Sequence, residues 1–210
     1  MRILVSGGTG RLAFELKKHL DAEYAGIEDW DFTYADEIPD KEYDLILHMG
    51  AYTDVKKAES ERTKCFNTNV VGTWNMAKRY KHTPFVYIST EYANKPLGVY
   101  AETKRLGEEV AAMHPNHLIL RTSFKPNVFP FPYAYEDQYT QGDYVDVIAK
   151  LLAEKIKSLP SKLPCETQYL GTGRKTMFEL AKRTRPDVLP NKVHDYNAKI
   201  GMNLIPHDYL

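Results

Sequence analysis

No stretch of this chain is long and apolar enough to cross a bilayer; its apolar runs all fall short of the ~18 residues a span requires. A net charge is missing as well. Lys and Arg total 28 and Asp and Glu total 28, so neither nucleic acid nor a membrane surface is an expected partner. Cysteine is scarce: Cys65 and Cys165 lie far apart without metal-type spacing and read as reduced thiols of a cytoplasmic protein. The 7 histidines show no ligand spacing with Cys, Asp or Glu, so no metal site is expected. Repeats and low-complexity tracts are lacking. The N-terminal apolar segment meets glycine too soon to be a signal peptide. A chain of 210 residues can still bury a core, as one domain or as two small coupled lobes.

What the sequence does have is concentrated in its opening residues. The apolar strand Ile3-Leu4-Val5-Ser6 runs into Gly7-x-x-Gly10-x-x-Ala13 and then into a helix with Leu12, Leu16 and Leu20 on one face and Glu15, Lys17 and Lys18 pointing away. Glycines at such a junction allow close backbone approach, and a helix start presents unpaired N–H groups to an anion. In a strand–helix–strand unit that anion is the pyrophosphate of a dinucleotide, against Gly7, Thr9, Gly10, Arg11 and Leu12. The plain alternative is an ordinary strand-to-helix turn. About 20 positions on, after a strand expected at Glu23–Ile27, Glu28 or Asp29 offers a carboxylate to an adenosine ribose, which favours NAD. Arg11 could instead hold the 2′-phosphate of NADP, so NAD or NADP stays open, with a lean toward NAD.

The remaining pattern alternates strand and helix. Strands are expected at Tyr43–Met49, Phe85–Ser89 and Leu118–Leu120, and helices over 61–81 and 99–113. The first of these helices would turn Cys65, Asn69, Gly72 or Thr73, Met76 and Tyr80 inward. This alternation predicts an α/β fold, a Rossmann-type doubly wound parallel sheet over residues 1–123. Composition shifts at Ser123. Residues 124–139 read as an irregular loop, 143–156 as a helix and 166–170 as a strand. Thr176 and Glu179 form a capping box opening a helix to Lys182, and the tail from Pro186 is weakly patterned. Residues 124–210 therefore read as a small C-terminal substrate lobe packed with the sheet as one compact unit.

Tyr100 and Lys104 are four residues apart on an expected helix and so share a face. A phenol with a free pKa of ~10 becomes a usable proton donor when an ammonium stands beside it. Such a pair can protonate a carbonyl oxygen as hydride arrives. Ser89 and Thr90 close the preceding strand, where open α/β sheets place their ligands and where a hydroxyl can bond the same oxygen. Read plainly, Tyr-x-x-x-Lys is a solvated helix face and Thr90 a strand-end cap.

Several segments in shared order resemble the extended short-chain dehydrogenase/reductases, nearest the dTDP-4-dehydrorhamnose reductase-like sugar-nucleotide group. They are Gly7–Ala13, Gly50-Ala51-Tyr52-Thr53-Asp54-Val55 with Ala58-Glu59, Asn67–Thr73, Ile88-Ser89-Thr90-Glu91-Tyr92, Val99–Lys104 and Leu120–Ser123. Asp143–Ala149 and Gly171-Thr172-Gly173 are similar to parts of the family's substrate lobe. The resemblance implies catalytic roles for Thr90, Tyr100 and Lys104, with Lys104 also on the nicotinamide ribose. It implies cofactor contacts at Gly50, Ala51, Tyr52, Asn69 and Ser89, a nucleotide-sugar substrate with a keto group to reduce or epimerise, and a homodimer through the two long helices. Packing roles for Ala51, Tyr52, Asn69 and Gly72 compete with these. Glu91 stands where the family has Asp, Lys56 where it has Asp, and the segment between Thr90 and Tyr100 is short. A second reading is thus a catalytically silent dinucleotide-binding regulatory subunit or sensor. A third makes the aromatic stretch Phe129–Tyr144 a binding surface, against the plain reading that it packs the loop.

Overall fold

Four short apolar segments build the centre of the molecule because each is buried on both faces, as parallel strands covered by helices must be. In the computed structural model, which describes residues 1–202, these are β1 (Ile3–Ser6), β3 (Leu45–His48), β4 (Phe85–Thr90) and β5 (His117–Thr122). The edge strands β2 (Glu23–Ala25) and β10 (Glu166–Tyr169) complete a six-stranded sheet in the order β10-β5-β4-β3-β1-β2. All pairings are parallel. The chain leaves β1 through α1 (Arg11–Leu16) toward β2, then returns across β1 to β3 on its other side. That reversal of direction puts a ligand crevice at the carboxyl ends of β1 and β3.

One sheet face, with Ile3, Val5, Leu47 and Val86, packs against Leu12 and Leu16 of α1 and Ile148, Leu152 and Ile156 of α5 (Val145–Lys157). The other face, with Leu4, Ile46, Phe85 and Tyr87, packs against Met76 and Tyr80, and Trp30 and Phe32 lie against that cluster. A separate cluster of Phe129, Tyr144, Met177, Leu180 and Val188 holds the small lobe, built on α6 (Met177–Lys182). Strand β10 and helix α5 both come from beyond residue 123, so the segment read as the lobe also supplies part of the sheet layer.

Several expectations are modified. The helix over 61–81 is a continuous right-handed run of α2 (Arg62–Phe66), one π turn (Asn67–Val71) and α3 (Gly72–Arg79). Its inward residues Cys65, Asn69, Gly72, Thr73, Met76 and Tyr80 are all buried. The second strand stops at Ala25 because Gly26 opens a turn that Asp29 closes. Glu15 is buried rather than outward, tied to Lys18 at 2.5 Å. The helix expected from Asp143 begins at Val145, and Asp143–Tyr144 (β9) instead pairs with Phe124–Lys125 (β6). The loop read over 124–139 thus contains β6 and β7 (Tyr133–Tyr135) and ends at β8 (Tyr139–Thr140). β11 (Lys175–Thr176) pairs with β8; in the tail, β12 (Leu189–Asn191) pairs with β7, and α7 (Val193–Ile200) follows; positions 203–210 lie outside the described residues.

Candidate active site

Because every strand of the sheet runs the same way, the ends of β1, β2, β3 and β4 share one edge. The glycine turn after β1 is packed tightly onto it. Gly7 has φ +75°, and a Cβ there would stand 2.7 Å from the Gly50 nitrogen, so only glycine fits. The Gly8 N–H donates to the Ala25 carbonyl at 2.8 Å, tying the turn to β2. Gly10 caps α1 with extended backbone and no side-chain hydrogen bond, which leaves the first N–H groups of that helix open to an anion. These residues fit a dinucleotide pyrophosphate. Leu12 has only its backbone to offer there, its side chain being core. Thr9 covers Gly26, where a Cβ would meet the Thr9 methyl.

The structure separates the two candidates for cofactor selection. The Asp29 carboxylate accepts the Gly26 N–H at 2.7 Å, capping its own turn, and Glu28 is exposed beside it. Arg11 is exposed and lines a different space, a cavity of about 1120 Å³ bounded also by Tyr92, Lys125, Phe129, Tyr135 and Tyr196. Arg11 therefore faces the small lobe, whereas Glu28 and Asp29 follow β2.

After β3, the Phe32 ring edge lies against Gly50 and also against Gly72, and side chains at either glycine would collide with it. Phe32 also meets the His48 ring edge-on at 5.1 Å. His48 is fully buried, with Nδ1 2.6 Å from the Ser6 hydroxyl and Nε2 3.2 Å from that of Thr73. Burial drives its pKa down to about 3, so it is neutral. Asn69 sits in the π turn and reads both backbone groups of Tyr52. Its Oδ1 accepts the Tyr52 N–H at 2.8 Å, and its Nδ2 donates to the Tyr52 carbonyl at 3.3 Å and the Thr103 hydroxyl at 3.0 Å. Asn69 thereby fixes the path of Ala51 and Tyr52. The Tyr52 phenol donates to Glu61.

Thr90 ends β4 and Tyr100 lies in the first turn of α4 (Gly98–Ala112), close enough for the Thr90 hydroxyl to act on the Tyr100 phenol, while Thr90 Oγ1 accepts the Tyr92 N–H at 3.3 Å. Burial pushes the Tyr100 phenol well above its ordinary range, partly opposed by Thr90. Tyr92, on the cavity wall, meets the Tyr100 ring edge-on at 6.1 Å. Lys104 shares the helix face but turns inward. Its Nζ donates to the Ile88 carbonyl at 2.8 Å and stands 4.1 Å from the Tyr87 ring centroid. Burial lowers its pKa to about 7, opposed by Glu108. The expected depression of the phenol by this ammonium is therefore not found: desolvation dominates and Lys104 is not among the groups that shift it. Ser89 is also committed elsewhere, donating to Glu108 at 2.6 Å. Glu108 in turn holds Arg121 through two bonds of 2.8 and 2.7 Å.

Sequence reasoning noted Glu91 only as a replacement, yet it is the junction of the site. Fully buried, its carboxylate accepts Ser123 (2.8 Å), Thr140 (2.5 Å) and the backbone N–H groups of Gln141 (2.7 Å) and Gly142 (3.1 Å). Asp143 makes a second junction with Thr172, Arg183 and Lys175. Its conversion from helix start to strand residue hid it from the spacing. The aromatic stretch divides: Phe129 and Tyr144 pack the lobe, while Phe131 and Tyr133 are exposed along the cavity.

The model of the RmlD substrate binding domain family matches residues 1–155. A dTDP-4-dehydrorhamnose reductase from Sinorhizobium fredii is 34% identical over 149 residues, covering 59% of this chain and 50% of that protein. The chain thus spans about half the length of the curated relatives it matches. Among solved structures, the dTDP-4-dehydrorhamnose reductase from Bacillus anthracis in complex with NADP has a TM-score of 0.82 at 22% identity. That match covers 99% of this chain and 89% of that one. The Clostridium acetobutylicum orthologue superposes with a TM-score of 0.83 at 20% identity, over 100% and 89% of the chains.

Proposed function

The chain belongs to the RmlD substrate binding domain family of extended short-chain dehydrogenase/reductases, and on that footing we propose that it reduces a keto group of a nucleotide-linked sugar with NADPH or NADH. The observation that carries this reading is Tyr100, in the first turn of α4 near the β4 end at Thr90, packed against Tyr92 on the wall of a cavity large enough for a nucleotide sugar. The dinucleotide would be held by the backbone from Gly7 to Leu12 and by Gly50 to Tyr52, with Tyr100 and Lys104 at its nicotinamide end. When bound, it supplies a hydride. The chain's own residues handle the proton. Tyr100 holds its phenolic proton at neutral pH and is the group to pass it to the carbonyl oxygen, burial making it a weaker acid than a free phenol, while the Thr90 hydroxyl would bond that same oxygen.

The carboxylates after β2 give no support to a preference for NAD, since Asp29 is occupied by its own turn and the Bacillus anthracis relative was solved with NADP. The regulatory-subunit alternative draws no support from the curated relatives above, which are named as reductases. The sheet with its edge crevice and the lobe with its cavity would bind cofactor and substrate respectively. Exposed Phe66, Trp74 and Leu106 on the two long helices support a homodimer through that face, to be read by light scattering.

Titration with NADPH and NADH, followed by nicotinamide fluorescence, should give saturable binding. Tyr100→Phe should bind the cofactor like the parent but lose turnover on a nucleotide-linked keto-sugar by about 10²–10⁴-fold. Unchanged turnover would remove Tyr100 from the reaction, and absence of cofactor binding would remove the reductase reading altogether.

A further inference from the structure

Four cationic side chains line the large cavity: Arg11, Lys56, Lys125 and Lys199. Three are exposed at its rim and solvated; Lys125 is not. It lies in β6, three residues past Thr122, and Thr122 is the register partner of Thr90 across β4 and β5. Three extended residues advance the chain by only ~10 Å, so Lys125 stands near the reacting end of the site. Among the described residues its ammonium has no hydrogen-bond or ion-pair partner. The acidic group that it feels is Glu91, whose carboxylate already accepts from Ser123, Thr140, Gln141 and Gly142. A half-buried ammonium without a partner is costly, and its burial lowers its pKa. An anion brought in by a ligand would offset that cost.

Building on the nucleotide-sugar reading, we propose that Lys125 is a specificity-determining residue that recognises a carboxylate carried on the sugar ring close to the reacting carbonyl. The position of Lys125 decides between the two anionic parts of such a substrate. It neighbours Glu91 and Tyr92, the direct continuation of Thr90, whereas the diphosphate leaves the sugar on the side away from the reacting carbon, toward the rim where Arg11, Lys56 and Lys199 stand. The four donors on Glu91 occupy its carboxylate, so Glu91 stands near Lys125 without pairing with its ammonium.

The test compares UDP-glucose with UDP-glucuronic acid, and the corresponding dTDP pair, as calorimetric ligands of the NADPH-saturated protein. Within each pair the nucleotide and diphosphate are the same, and only the carboxylate differs. The parent should bind the glucuronate at least tenfold more tightly than the glucose. Lys125→Met should abolish that difference while leaving glucose-ligand affinity within about twofold, and Lys125→Arg should keep it. Unchanged NADPH affinity and melting temperature certify the fold of each variant; if Lys125→Met fails this control, Lys125→Gln takes its place. No preference in the parent, or a preference that survives in Lys125→Met, overturns the proposal. An equal loss of both ligands in Lys125→Met also overturns it, by assigning the lysine to the diphosphate. Binding of neither sugar nucleotide while NADPH still binds removes the sugar-nucleotide reading, and this assignment with it.

Discussion

His48 shows how burial sets the chemistry of a single side chain. The unfolded chain takes up a proton at His48 near pH 6.5, whereas the folded chain resists it down to about pH 3. The unfolded state therefore binds more protons over that window, and folding stability drops as pH falls through it, by up to about 1.4 kcal/mol per pH unit. Denaturant unfolding at pH 7, 5.5 and 4.5 should show this slope, and His48→Gln should flatten it; parallel slopes would contradict the assignment. Lys104, another buried base, follows the same rule in a higher pH window. It is protonated in the unfolded chain up to about 10.5 but in the folded chain only up to about 7, so its burial penalty is greatest below pH 7 and fades as pH rises to 10.5. Relative to the parent, Lys104→Met should gain the most stability below pH 7, and the gap should close toward pH 10.5. At this scale the sequence reveals residue type and spacing but not rotamer or desolvation. Thr90 and Tyr100 are legible because a strand end and a first helical turn bring them together. The inward turn of Lys104, the commitment of Ser89 to Glu108 and the isolation of Lys125 depend on neighbours far away in the chain.

Among the elements, the strongest coupling runs from the end of β4 into the small lobe through Glu91. Replacing that carboxylate by an amide puts a donor where only donors point, leaving at least one buried group unsatisfied at a cost of about 1–3 kcal/mol each. Glu91→Gln should therefore lower the melting temperature and raise KM for a sugar substrate more than it lowers NADPH affinity, since the glycine turn is on the other side of the site. Equal effects on both ligands would argue against a role confined to the lobe. The Glu108–Arg121 pair joins α4 to β5 in the same way. Removing one partner, as in Arg121→Met, leaves the buried carboxylate with Ser89 and the more distant Arg105 only and should cost about 3 kcal/mol, measurable by chemical denaturation. The alternation of strands and helices was legible because parallel strands buried on both faces must be nearly continuous apolar runs. The π turn at Asn67–Val71 was not: its inward residues satisfy an unbroken helical period, and only the Asn69 contacts with Tyr52 distinguish it. The short strands of the lobe were hidden for a different reason, each having two or three residues and no period to read.

For the molecule as a whole, α5 packs on the same sheet face as α1, and β10 extends the sheet beyond β5. The sheet's core therefore includes a helix and a strand from beyond residue 123, which ties the lobe's own cluster to it along the chain, and a single cooperative transition is expected, with coincident midpoints by circular dichroism and by aromatic fluorescence. Two separated midpoints would show that the lobe unfolds alone. The parallel sheet follows from the order of apolar runs, but the division at residue 123 does not describe how the layers are shared, because a helix and a strand late in the chain return to the sheet. Both tryptophans, Trp30 and Trp74, lie before that point. Trp30 packs on the sheet face beside Phe32, just past Glu28 and Asp29, and Trp74 stands half out of α3. The protein consequently carries its own optical reporter on one half only. Indole emission overlaps the absorption of reduced nicotinamide, so cofactor loading should be visible as energy transfer without any label, while occupation of the lobe cavity should remain optically silent.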